Sequence, residues 1–336
     1  MKHRHSTRRF RCRLALPIAA ILCAALAAPV HASGDAITDL NIQRVQVAEW
    51  TRIPGASIAA LCYAPDSSML ACGTSTGQVI LFSMTDSGAR HDLRAEGAAI
   101  TSLDFSPDGK QLVASDESGR VMVWDCASEE EVRVFVDEEP VREAEFSPTG
   151  DYLVFVGDAG LVRIRETSTW EALPPITGHT GPIYAFAISP EEDLLVTGAG
   201  DSDPSVRLWT FPAGEFLGSD LYEGRVSDIE YSPRDRHAAI SGSQLTVWLW
   251  EVDRLEFLHL IFGVGGSVPD IAYSSRGTAL VTVSTGGTLC YHRVPDVTPK
   301  RTIRFEWPLS AVDFSPDRTS IVCGDTAGTI HLLTLP

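Results

Sequence analysis

The feature that most restricts this chain is a turn segment that returns seven times at a nearly constant interval. It reads YAPDSS from Tyr63, DFSPDG from Asp104, EFSPTG from Glu145, ISPEED from Ile188, YSPRDR from Tyr231, YSSRGT from Tyr273 and DFSPDR from Asp313. With Pro65, Pro107, Pro148, Pro190, Pro233, Ser275 and Pro316 as anchors, the steps are 42, 41, 42, 43, 42 and 41 residues. A period this regular means that one supersecondary unit repeats and that each copy covers its apolar flanks with its neighbours.

Every copy follows one internal grammar. A short strand leads into the turn with apolar residues seven, four and two positions before the anchor, as in Leu309, Val312 and Phe314. The position two before the anchor is aromatic or Ile in all seven copies: Tyr63, Phe105, Phe146, Ile188, Tyr231, Tyr273 and Phe314. A second strand rich in β-formers follows the turn. A third alternates with period two, as in Val121/Val123 and Val247/Leu249, and in five copies a glycine (Gly77, Gly119, Gly160, Gly287, Gly328) supplies the backbone freedom of the hairpin before it. A fourth, less regular segment completes the unit. Four strands in about 42 residues make a propeller blade, so the expected fold is all-β with seven blades.

The third strands end in VMVWD at Asp125, VRLWT at Thr210 and VWLWE at Glu251, and Gly178-His179 opens the fourth copy. In these respects the copies resemble WD40 repeats across nearly the whole chain beyond residue 32. The Trp position is degenerate, occupied by Phe82, Trp124, Arg165, Trp209, Trp250, His292 and Leu333. Only the fourth copy matches the family's buried polar tetrad, with His179, Thr197, Asp203 and Trp209. The resemblance implies that Asp203 and the Thr197 hydroxyl hold His179 while the Trp209 N–H closes the chain, a structural network rather than a catalytic one. It also implies a partner-binding face at the channel mouth, where Arg142, Tyr184 and Trp307 stand with Arg225 nearby.

The last copy ends after its third strand. Residues 42–47 alternate apolar with polar and lie before the first complete blade, so they are expected to form the outer strand of the last blade and close the ring.

The first 13 residues carry Lys2, Arg4, Arg8, Arg9, Arg11 and Arg13 ahead of an apolar run from Leu14 to Val30. That pattern reads as a signal peptide cleaved near Ala32, leaving residues 33–336 as one propeller domain with no membrane span in an exported chain, periplasmic or extracellular. The full chain has a net charge of −17. A field of that sign repels phosphate backbones, so nucleic acid is excluded as a partner and a basic or neutral protein is favoured. Cys62, Cys72, Cys126, Cys290 and Cys323 form no disulfide framework, with Cys62–Cys72 across one hairpin as the pair that could bridge.

No catalytic set emerges. The histidines lack metal-ligand spacing, no nucleophile elbow, phosphate loop or dinucleotide fingerprint is present, and no cofactor or metal is expected. Asp104, Glu143, Glu145, Asp228, Glu230, Asp270 and Asp313 do stand on the innermost strands, where they either accept hydrogen bonds from neighbouring blades or hold a hard cation. The turns and crossings at one end of the blades gather Glu96, Asp116, Glu117, Asp137, Glu138, Glu139, Asp158, Asp201, Asp203, Glu223 and Asp325 against the single base Arg225, so that face is expected to be strongly negative. Two function classes follow: a protein-interaction scaffold that binds a basic or partly apolar partner on this face, and a propeller enzyme or ligand receptor that uses the channel carboxylates.

Overall fold

The computed structural model describes residues 35–85, 89–94, 96–200, 202–261, 265–295 and 297–336. The leader expected at residues 1–32 therefore lies outside the described residues, as does Asp201. The chain forms a β-propeller of seven antiparallel sheets in one ring. Blades 1 to 6 comprise residues 58–94, 100–136, 141–166, 183–221, 226–261 and 270–304. Blade 7 combines residues 309–334 with a strand donated from the N-terminal side.

The repeat has a packing reason. Among the described residues the buried apolar side chains fall into seven clusters, one at each junction between consecutive blades. Blade 4, for example, contributes Val206 and Leu208 against Ile229, Ile240 and Trp250 of blade 5. Each sheet is buried on both faces in its inner and middle strands, and Leu194–Ala199 is buried at every position. Such strands read as continuous hydrophobic runs, and no blade could keep them dry alone.

Ring closure places the donated strand later than the sequence pattern suggested. Gln46–Arg52 pairs antiparallel with Thr329–Thr334, from Gln46 opposite Thr334 to Arg52 opposite Thr329. Residues Ile42–Arg44 instead make a short 3-10 turn. The apolar residues that suggested a strand from residue 42 have another use: Ile42 and Val45 plug the core between blades 6 and 7, and Arg301 ties the turn down by donating to the Ile42 carbonyl at 2.6 Å.

Blade 3 also departs from the four-strand grammar, because its sheet has three strands. Pro174 and Pro175 occupy the segment where the fourth would run, and proline cannot donate to a ladder. What remains is an irregular cover bridged at Val162–Ile176 and Arg165–Ala172. Cys62 and Cys72 do not face each other, since Cys62 is opposite Ala71 and Cys72 is opposite Leu61. Cys72 packs toward blade 7 and Cys62 toward blade 2, so the bridge considered from sequence is geometrically closed to them, and both are free thiols.

Candidate site at the channel mouth

Six of the seven innermost strands shift register immediately after their first residue, at Ile58/Ala60, Ile100/Ser102, Val141/Glu143, Ile183/Ala185, Val226/Asp228 and Leu309/Ala311. A bulge adds one residue and re-aims its side chain. Here the added residues are Ala59, Thr101, Arg142, Tyr184, Ser227 and Ser310. All of them, with Pro269 of blade 6, line one axial cavity of about 200 Å³. Five of these seven positions are small or fixed, which leaves Arg142 and Tyr184, side by side on blades 3 and 4, as the only long side chains in the set.

The two are held in place. Arg142 donates from Nε and Nη2 to the two oxygens of Asp158, both at 2.7 Å, and this bidentate pair raises its pKa above the ordinary guanidinium value. Its Cζ lies 5.8 Å from the centre of the Tyr184 ring. The exposed Arg225 lies over the same ring at 5.0 Å, within cation–π range. Trp307 is elsewhere. It stands nine residues before its anchor, whereas Arg142 and Tyr184 stand six before theirs, so it belongs to the loop between blades 6 and 7. Half-exposed there, it borders a separate pocket of about 400 Å³ with Val47, Ile303 and Phe305.

Below the mouth, all seven inner-strand carboxylates line the same cavity. Five are spent on the frame. Asp313 accepts from the Tyr63 N–H at 2.7 Å, Asp104 from Phe146 at 2.8 Å, Glu143 from Phe186 at 2.6 Å, Asp228 from Ile271 at 2.9 Å and Asp270 from Val312 at 2.6 Å. In each case the donor is on the next blade. Burial pushes Asp104 and Asp313 up to about 7. It also pushes Glu143, Glu145 and Glu230 well above the ordinary carboxylate range, helped by the charges of their neighbours. Asp228 and Asp270 hydrogen-bond each other, an arrangement that requires a proton between them. Among the described residues no group of three or more His, Cys, Asp or Glu has the geometry of a metal site.

Blade 4 brings its four polar residues into one network. His179 Nδ1 is 2.9 Å from Asp203 Oδ2, His179 Nε2 is 2.7 Å from Thr197 Oγ1, and Trp209 Nε1 donates to the same hydroxyl at 2.9 Å. Burial lowers the His179 pKa, so the ring is neutral. Burial opposes ionisation of Asp203, yet the Ser205 hydroxyl, the Thr180 N–H and His179 together bring it down to about 2. The network fixes the loop before blade 4, which carries Tyr184 into the mouth.

Comparison with known proteins agrees with this architecture. Residues 49–168 match the profile of the Vps8 beta-propeller, and residues 170–210 match that of the WD domain, G-beta repeat. The fold is a seven-bladed β-propeller of WD40 type. It is 32% identical over 139 residues to eukaryotic translation initiation factor 3 subunit I of Aspergillus terreus, covering 41% of this chain and 37% of that protein. Identity to transcription initiation factor TFIID subunit 5 of Caenorhabditis elegans is 28%, over 47% of this chain and 24% of the relative. With human pre-mRNA-processing factor 17 it is 23%, over 62% of this chain and 38% of the relative. The chain thus spans less than two fifths of the length of each of these relatives.

These matches overturn the expectation of an exported propeller. Transcription initiation, translation initiation and pre-mRNA processing are carried out inside the cell, and a periplasmic or extracellular location does not fit relatives of that kind. The basic residues, apolar run and small residues near Ala32 that suggest export lie outside the described residues. Among the described residues no helix is long and apolar enough to cross a membrane.

The WD40 propeller's mouth face is also less negative than a count of its acids implies. Asp116 is buried against Arg94 at 2.9 Å, Asp137 pairs with Arg163 at 2.7 Å, Asp158 with Arg142, and Asp203 with Arg207 at 3.3 Å. Arg94 reaches Asp116 from the outer strand of the preceding blade, and Arg163 reaches back to the loop that enters its own blade. Sequence order hides both pairings, because donor and acceptor lie more than 20 residues apart in different elements. Glu117, Glu138, Glu139 and Glu223 stay exposed there.

Proposed function

We propose that this WD40-repeat propeller is a protein-interaction scaffold rather than a catalyst, and that its partner engages the channel mouth at blades 3 and 4. The observation that carries the reading is the stack of Arg142, Tyr184 and Arg225, the one place where the bulge positions leave the small-residue pattern. Arg and Tyr make good anchors, since a rigid ring and a planar cation give contact area at low entropic cost. The exposed glutamates of the same face steer a basic or partly apolar partner toward them, and the chain's overall charge disfavours nucleic acid. Two of the relatives are named as subunits of larger factors, a context that supports a binding role. Against an enzyme that uses the channel carboxylates stands their engagement with backbone N–H groups of the next blade.

Quantitative affinity capture with the full chain tests the reading. Combining Tyr184→Ala with Arg225→Ala is expected to reduce recovery of the specific partner at least tenfold, while Trp307→Ala leaves it unchanged. Equal recovery by the mouth variant and the wild type contradicts the proposal.

A further inference from the structure

A second site lies on the flank where blade 6 meets blade 7, in the pocket that Trp307 borders. Strand register fixes which side chains look into it. On the donated strand Val47 is opposite Leu333, Glu49 opposite His331 and Arg52 opposite Thr329. Leu333 packs into the core between these two blades, so the alternation puts Val47, Glu49 and His331 on the face toward blade 6, and the bulge between Glu49 and Thr51 returns Arg52 to it. From blade 6, Ile303 and Phe305 pack against the same core. Together with Trp307 these residues line a cavity of about 400 Å³, a volume in the range of small-ligand sites.

The pocket has a flat open wall and one fixed acceptor. Trp307 is 49% exposed. Opposite it the His331 ring, only 8% exposed, lies with its centre 4.7 Å from that of Phe305. Asp325 accepts the N–H groups of Ala327 and Thr329 at 2.9 and 2.8 Å, and its other oxygen is 2.9 Å from His331 Nε2. A carboxylate only accepts, so Nε2 carries the proton and Nδ1 presents a lone pair. Nδ1 has no hydrogen-bond partner among the described residues. The charges around the pocket cancel: Glu49 and Glu306 stand against Arg52 and Arg304, and among the described residues none of the four is in an ion pair.

We infer that this pocket receives one Trp or Tyr side chain presented by a segment of a second protein. The incoming ring lies against Trp307 and the apolar wall of Val47, Ile303 and Phe305, in the offset or edge contacts that aromatic pairs adopt, and its N–H or O–H donates to His331 Nδ1. An aliphatic side chain fills the space but leaves that acceptor unmatched. A charged one gains nothing net from a rim whose charges cancel. A second copy of this chain fits less well, because each copy carries a net charge of −17. The inference is independent of the mouth reading: it uses none of those residues, and the protein that fills this pocket is not the one recovered through the mouth.

Fluorescence anisotropy with the full chain and labelled Gly/Ser peptides tests it. The probe carries one central Trp; one control carries 3-benzothienylalanine, the same shape with sulfur in place of the N–H, and another carries Leu. The Trp peptide is expected to bind at least tenfold more tightly than either control. Trp307→Ala, an exposed change whose melting curve verifies the fold, is expected to weaken that binding at least fivefold, and Tyr184→Ala not at all. His331→Phe, which keeps a ring but removes the acceptor, is expected to abolish the preference for Trp over benzothienylalanine; where that variant does not fold, the control peptides and Trp307→Ala still decide. Equal binding of the Trp and benzothienylalanine peptides, or indifference to Trp307→Ala, overturns the inference. So does a concentration-dependent dimer that Trp307→Ala dissolves, since the occupant is then a second copy. Loss of binding through Tyr184→Ala alone would locate the probe at the mouth, ending this proposal and leaving the mouth reading intact.

Discussion

The junction between blades 4 and 5 is built differently from the five junctions held by an inner-strand carboxylate. At those five, a carboxylate of one blade accepts a backbone N–H of the next, beside the axis. In blade 4 the corresponding positions are Ala185 and Ala187, whose methyl groups accept nothing. Apolar packing does the joining there, through Tyr222, Val226, Ile229, Trp250 and Val252. The contrast shows two ways of holding a ring: polar latches at the hub, or hydrophobic burial further out.

The largest effect should come from removing residues 33–50, which takes away most of the donated strand and the Ile42 plug. Both kinds of junction depend on closure, so that chain is expected to lose its cooperative melt or to melt at least ~15 °C lower, and differential scanning calorimetry measures it. An unchanged melting temperature would show that the ring does not need its clasp.

Next in size, Trp250→Ala should cost about 4 kcal/mol in urea unfolding, because a fully buried indole leaves a cavity at a junction with no latch to share the load. At a latched junction, Asp313→Ala should cost about 1–2 kcal/mol by stranding the Tyr63 N–H. Reversal of that order would mean that the latches carry more than the packing.

Acidity separates the two kinds of junction in a further way. Asp104 and Asp313 titrate near 7 in the folded chain because burial opposes their charge, against about 3.9 in an unfolded one. The folded state therefore binds more protons between those values, so the stability these groups provide is complete below about pH 4 and is lost as pH rises through 7. Raising the pH from 5 to 8 is expected to cost roughly 2.5 kcal/mol for each group. Smaller still is the effect of Asp313→Asn at pH 5, below about 0.5 kcal/mol, because the amide oxygen still accepts from Tyr63; its signature is a shallower decline with pH. A pH profile unaffected by that change would contradict the assignment of the titration to the latch.

Much of this was legible in the residues. The 42-residue step fixes the blade count, since each anchor falls in the turn after an innermost strand. The apolar spacing of seven, four and two before the anchor already contains the bulge, because the odd interval between Leu309 and Val312 breaks a period of two. That interval identifies Arg142 and Tyr184 as bulge residues and sets Trp307 outside their class. The blade 4 network was visible as residue types at set positions. What stayed hidden depends on contacts between strands distant in sequence: the partners of Asp116 and Asp137, the opposite faces taken by Cys62 and Cys72, and the use of Ile42 as a plug rather than a strand residue. The missing strand of blade 3 does have a sequence signal, in the prolines at 174 and 175.

Site-resolved amide hydrogen exchange compares the two kinds of junction most directly. The account predicts that the amides of Tyr63, Phe146, Phe186, Ile271 and Val312 exchange only through global opening, while the amide of Tyr231, which holds the position of Tyr63 and Phe146 in blade 5, exchanges at least tenfold faster. Exchange at Tyr231 as slow as at Phe146 would contradict a ring held at its hub by carboxylate latches.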